Sequence, residues 1–205
     1  MTISREGPWS PPARKEVAMQ RLLALTLVVM LPVVGVFADE EKKSEPRKAP
    51  AFQLKDLKGK SHKLEDFKDK ILVIEWTEPG CPYIVKHAAA GTMKSIAKDY
   101  AKKDVVFIGI CTSSRTDTKG MASFAEKHGI DYTVLMDETG SVGRAYGASN
   151  TPHMYIVKGG KIVYEGAIDD DPRMRKDDDT NYIRKALDEL IEGKAVSTPK
   201  TKPYG

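Results

Sequence analysis

The sequence predicts an α/β domain built on a mixed central sheet, and three observations carry that prediction. Ile71 to Ile74 is a short apolar, β-branched run of the kind that forms a strand buried on both faces. Val105 to Ile110 is a second such run, and the stretch between them has helical apolar spacing, so a right-handed parallel crossover is expected. Met154 to Val157 and Lys161 to Tyr164 flank Gly159-Gly160, which turns one strand back against the other as an antiparallel hairpin.

The remaining elements follow in chain order. Asp39 to Ala49 is charged, contains proline and lacks periodicity, and reads as a flexible linker. Phe52 to Leu54 and Ser61 to Leu64 flank the turn signal Asp56-Leu57-Lys58-Gly59, which predicts an N-terminal β-hairpin covering one end of the sheet. After the central strand a helix is expected from Pro82 to about Tyr100, with Ile84, Ala88, Met93, Ile96 and Tyr100 on its apolar stripe and Gly91 as a point of bending. A helix over Lys119 to His128 closes at Gly129, a strand covers Tyr132 to Met136, and Ser141 to Tyr146 makes a short helix ending near Gly147. The last helix spans about Thr180 to Glu192, capped by Thr180 and stopped by Gly193.

Composition narrows the function classes. The 205 residues suffice for one domain with a substantial core. Net charge is +4, of which residues 1–38 carry +2, and basic and acidic side chains alternate instead of clustering, so no nucleic-acid partner is indicated. Arg14, Lys15 and Arg21 precede an apolar run from Leu22 to Ala38, which reads as a secretory signal peptide over residues 1–38, with Met19 as an alternative start. An uncleaved membrane anchor is the competing reading; after cleavage no stable membrane insertion is expected. The organisation predicted is thus signal peptide 1–38, linker 39–49, domain 50–193 and tail 194–205, in a periplasmic or secreted protein.

The chemistry concentrates in Ile71 to His87. Thr77 to Gly80 breaks the strand, and Pro82 suits the first helical position, which leaves Cys81 at the cap. Free backbone N–H groups and the positive end of the helix dipole favour a thiolate there, and helix N-termini can lower a thiol from about 8.5 to about 7 or below. The alternative is a small buried cysteine beside a proline. Cys111, the second cysteine, falls at the carboxyl end of the neighbouring strand, where it can be a resolving thiol or a buried strand residue.

At Glu75, Trp76, Thr77, Pro79, Cys81, Pro82, Tyr83, Val85 and His87 the sequence resembles thioredoxin-fold redoxins, the superfamily that includes alkyl hydroperoxide reductase and thiol-specific antioxidant proteins. The resemblance runs from about Pro50 onward. It implies a three-layer α/β/α thioredoxin-like sandwich and thiol-dependent reduction of a peroxide or disulfide. It also implies no cofactor, and partners limited to the substrate and a thiol reductant such as a thioredoxin-like protein. Thr77, Pro82, Thr151 and Pro152 become candidate substrate-positioning residues, with Thr151-Pro152 expected as a cis bond facing Cys81.

The sequence also departs from its relatives. Ile84 stands where thioredoxins carry the second cysteine of their pair, so dithiol exchange within the loop is absent. Glu78 and Pro152 occupy positions where typical peroxiredoxins have a threonine and an arginine. Glu75, six residues before Cys81, is a candidate general base, or else a strand-end carboxylate with a local partner. His87 and His153 raise a copper-carrier reading, since copper chaperones share the fold, but those use two closely spaced cysteines; the expectation is no metal site. Asp169–Asp171 and Asp177–Asp179 lack the glycine and glutamate of an EF-hand and read as a solvated loop. A non-catalytic binding protein or metal carrier remains the alternative to the redox enzyme.

Overall fold

The computed structural model describes residues 46–176 and 178–205. The signal-peptide segment, the linker up to residue 45 and Asp177 of the acidic loop lie outside these. The strand Ile71–Trp76 (β4) is buried along its whole length, because alternate residues face two different cores. On either side of it the sheet runs outward to eight strands. The others are Arg47–Lys48 (β1), Gln53–Asp56 (β2), Ser61–Lys63 (β3), Val105–Cys111 (β5), Thr133–Met136 (β6), His153–Lys158 (β7) and Lys161–Gly166 (β8). Their order is β1-β8-β7-β4-β5-β6-β2-β3, with β4, β5 and β6 parallel and β7 antiparallel to β4. The mixed sheet is therefore as expected.

Helices cover both faces. Ile71 and Val73 point into a core shared with Met93, Ile96, Tyr100 and the apolar face of the last helix, Tyr182–Ile191 (α5). Leu72, Ile74 and Trp76 point the opposite way, against Val142 and Tyr146 of the short helix Ser141–Tyr146 (α4). Thr118–His128 (α3) packs Met121 and Phe124 on Cys111, Val134 and Met136.

Four details depart from the sequence reading. The helix expected from Pro82 to Tyr100 is two, Pro82–Ala90 (α1) and Thr92–Tyr100 (α2), because Gly91 adopts φ 68° and ends the first as a left-handed cap. The β2–β3 hairpin does not lie over the sheet's end; it extends the sheet in its own plane through Lys55↔Met136. The segment read as linker finishes in β1, which pairs with β8. Finally, α5 is capped by Asn181, whose Oδ1 accepts from Arg184 N at 3.0 Å, and not by Thr180.

A substituent at Gly91 would meet nothing within 4 Å, so only backbone conformation opposes it. Gly91→Ala is expected to cost about 1 kcal/mol, read as a lower thermal unfolding midpoint.

Candidate functional site

Cys81 sits where the carboxyl end of β4 gives way to α1. Its backbone is extended (φ −80°, ψ 122°), its carbonyl accepts the first helical bond from Val85 N at 3.0 Å, and Pro82 opens the helix. The sulfur makes no capping bond. It turns instead to the Thr151 carbonyl, donating its proton at 2.8 Å, and Thr151-Pro152 is a cis peptide. The expected pairing of the cysteine with this loop is therefore present, but through the thiol, since a thiolate has no proton to give.

The loop between strand and cysteine is ordered by Glu78. Its Oε1 accepts from Gly80 N at 3.1 Å and from Thr116 Oγ1 at 2.7 Å. Burial pushes this carboxyl up, yet hydrogen bonds from Ser113, Thr116 and the Gly80 amide outweigh that and hold it below the usual carboxylate range.

Glu75 is buried, 5% exposed, and Tyr132 donates to its Oε2 at 2.7 Å. Burial raises the carboxyl to about 7 against the opposing pull of the Tyr132 hydrogen bond. The partner is thus a tyrosine from the segment entering β6, which nothing in the spacing of the sequence announced. Thr77, 2% exposed, has no hydrogen-bond partner for Oγ1 among the described residues. It lines a small cavity of about 10 Å³ with Glu75 and Tyr132, and also an open cleft of about 450 Å³ that contains Glu78, Thr112, Arg115, Asn150 and Thr151. Thr77 is therefore the wall between the buried acid and the cleft.

The floor of the cleft is held by a chain of polar contacts. Trp76 Nε1 donates to Thr112 Oγ1 at 3.0 Å, and Thr112 donates to Asp137 Oδ2 at 3.1 Å. Asp137 also accepts from Gly143 N at 2.8 Å, which ties the ends of β4, β5 and β6 to α4.

Cys111 is at the end of β5, 1% exposed, and both cysteines are free. Cys81 packs against the cluster of Ile84, Met121 and Phe124 that also encloses Cys111, so the two thiols share one apolar neighbourhood. Burial pushes the Cys111 thiol up, making it a sluggish nucleophile.

The two histidines have separate partners. His153 Nδ1 accepts from Ser149 N at 3.4 Å and lies 3.3 Å from the Tyr155 hydroxyl; burial lowers it to about 4. His87 Nε2 lies 3.0 Å from Tyr204 Oη, which in turn donates to Asp169 Oδ1 at 2.7 Å. Because the tyrosine's single proton goes to the carboxylate, His87 Nε2–H is the donor, and Nδ1 accepts from Thr92 Oγ1 at 3.2 Å. Among the described residues no three His, Cys, Asp or Glu side chains are grouped to hold a metal ion. The sequence reading named His87 but missed Tyr204, because a tyrosine in a proline-containing tail carries no periodic signal.

Comparison with known proteins identifies the family and the fold. Residues 46–166 match the model of the AhpC/TSA family. The thiol-disulfide oxidoreductase ResA of Bacillus cereus is 28% identical over 132 residues, 64% of this chain and 74% of that protein. The chloroplastic peroxiredoxin Q of Gentiana triflora is 34% identical over 118 residues, 56% of this chain and 49% of that one. Among solved structures, a hypothetical protein from Sinorhizobium meliloti superposes with a TM-score of 0.71 at 28% identity, covering 78% of this chain and 91% of that one. The thioredoxin domain of a thiol-disulfide oxidoreductase from Bacteroides vulgatus gives 0.56 at 23% identity, over 70% and 95% of the two chains, and shows likeness of fold alone. The fold is thioredoxin-like.

Proposed function

The chain belongs to the AhpC/TSA family of thiol-based redoxins, and from that membership we propose that it is an oxidoreductase whose Cys81 thiolate attacks a peroxide or a disulfide. The observation that carries this reading is the position of the Cys81 sulfur at the opening of α1, against the carbonyl of the cis Thr151-Pro152 bond. With a hydroperoxide, an S–O bond forms as the O–O bond breaks; the alkoxide leaves with a proton and Cys81 becomes a sulfenic acid. A second thiol condenses with it, releasing water and giving a disulfide; exchange with a further thiol frees Cys81 and carries the disulfide onto the two attacking thiols, or, where Cys111 is the second thiol, a reductant's two thiols free both cysteines and leave as its disulfide. With a disulfide substrate, attack gives a mixed disulfide and expels a thiolate.

Glu75, its carboxyl raised by burial to about 7, is the candidate acceptor of the Cys81 proton: it shares a small cavity with Thr77 and with Ile84, whose cluster Cys81 packs against. Pro82, Thr151 and Pro152 position the sulfur and the wall opposite it. Cys111 is the internal candidate for the resolving thiol; a thioredoxin-like reductant supplies the external one. The apolar run in residues 1–38 supports export of the domain to a periplasmic or extracellular setting. No helix among the described residues is long and apolar enough to cross a membrane.

The test is the pH dependence of Cys81 alkylation, followed by peroxide treatment and peptide mass mapping. A Cys81 sulfenic acid or a Cys81–Cys111 bridge is expected, and Cys81→Ser should reduce peroxide-dependent thiol consumption to background. A thiol that forms neither product would favour a binding protein that keeps the fold without turnover.

A further inference from the structure

Residues 199–205 run back from α5 across the mouth of the site. Pro199 O accepts from Glu165 N and Thr201 N donates to Glu165 O, each at 3.0 Å, so this segment pairs with the outer edge of β8. Thr201 Oγ1 accepts from Ala167 N at 2.8 Å and shares a proton with Tyr164 Oη at 2.7 Å. Gly166 makes the fit possible: a Cβ there would lie 2.6 Å from Thr201 O and 2.8 Å from its N. Beyond this anchor the chain crosses α1. The Tyr204 ring centroid is 5.5 Å from that of Tyr83, and its hydroxyl is held between His87 and Asp169.

Gly205 then lands on the Thr151 peptide, where a Cβ would sit 3.0 Å from Thr151 N and C, and Asn150 Nδ2 donates to Gly205 O at 3.1 Å. Thr151 is the residue whose carbonyl receives the Cys81 proton. The Thr151 peptide, whose carbonyl lies 2.8 Å from the Cys81 sulfur, is therefore covered on one side by the protein's own chain. Thr151, the hydrogen-bond partner of Cys81, and Gly205 both line the cleft of about 450 Å³, a volume that suits a small molecule.

We infer that residues 201–205 are a specificity-determining strap that restricts Cys81 to low-molecular-weight peroxides or disulfides and bars folded protein substrates while it is seated. This rests on Cys81 being the reactive thiol and adds the size class of what reaches it. Nothing in the reaction steps changes; the strap acts on access.

The experiment compares alkylation of Cys81 by iodoacetamide and by a polyethylene-glycol maleimide of several kilodaltons, scored peptide by peptide in the full chain. Two variants unseat the strap at different points, Tyr204→Phe by removing the hydroxyl held by His87 and Asp169, and Gly166→Ala by expelling Thr201. In each, the ratio of bulky to small reagent rates should rise about tenfold, the scale of one lost hydrogen bond to a charged group, with the iodoacetamide rate changed far less. An unchanged ratio, or both rates rising together, would overturn the inference. Should Gly166→Ala not fold, Tyr204→Phe decides alone, since it keeps the ring and its packing. Peroxide treatment of the unaltered protein is scored in parallel. Absence of Cys81 oxidation there would defeat the catalytic reading by itself, whatever the rate ratio shows.

Discussion

Glu75→Gln is expected to make the protein more stable and less active, with the stability gain confined to pH above about 5. In the folded chain the carboxyl is raised from 4.5 to about 7, so folding favours its protonated form. The stabilising contribution of that proton is fully present below pH 4.5 and is lost as pH rises through 7. Above 7 the native state holds a buried carboxylate at a cost on the order of 3 kcal/mol. Glutamine has no such charge, and its carbonyl still accepts from Tyr132. Thermal unfolding at pH 4.5 and pH 8 is the check: the variant should gain several degrees at pH 8 and little at 4.5. An equal shift at both would mean that the carboxyl's pKa does not change on folding. The loss of activity should be about 100-fold, the scale of removing a positioned proton acceptor, and the limb of the wild-type pH–rate profile that rises through neutrality should vanish.

Trp76→Ala carries the largest expected loss of stability, about 4 kcal/mol for an aromatic side chain removed from a packed core. The ring is 2% exposed and lies 5.1 Å from Tyr146 and 5.2 Å from Tyr155, in tilted and edge-on contacts. Trp76→Phe separates the two contributions. It keeps much of the ring packing but withdraws the N–H from Thr112, and should cost about 1 kcal/mol. Urea midpoints for the two variants measure the difference. Because Thr112 passes the contact on to Asp137 and so to α4, either change should also loosen the floor of the cleft.

Much of this was legible in the sequence, and the reasons are physical. Ile71 to Ile74 could be read as a doubly buried strand because nothing in it alternates, and Cys81 could be placed at a helix start because Pro82, suited to the first helical position, follows it. Gly129, Gly147 and Gly159-Gly160 mark ends and turns through a conformation other residues resist, and each does so in the fold. What escaped reading was set by contacts between distant residues. Tyr132 meets Glu75 across a separation of 57 positions, and Tyr204 meets His87 across 117. A break at Gly91 was foreseen only as a bend, since local propensity does not say whether a glycine will adopt positive φ. The direction of the Cys81 sulfur was also hidden. The helix dipole argues for a charge at that position, but the Thr151 carbonyl, 70 residues away, is what the thiol points at.

The outer edge of β8 is sealed by two unrelated scraps of chain. Arg47–Lys48 covers Ile162, pinned by the Arg47–Glu165 ion pair at 3.0 Å and by Ala49 N on Gly160 O, while Lys200 pairs beside Glu165. Neither scrap is long enough to hold its place through strand pairing alone. If both peel away, the apolar stretch Ile162-Val163-Tyr164 is left with unsatisfied peptide groups, a template on which another copy can add a strand. The masking of this edge therefore rests on a few polar fasteners at the sheet's rim.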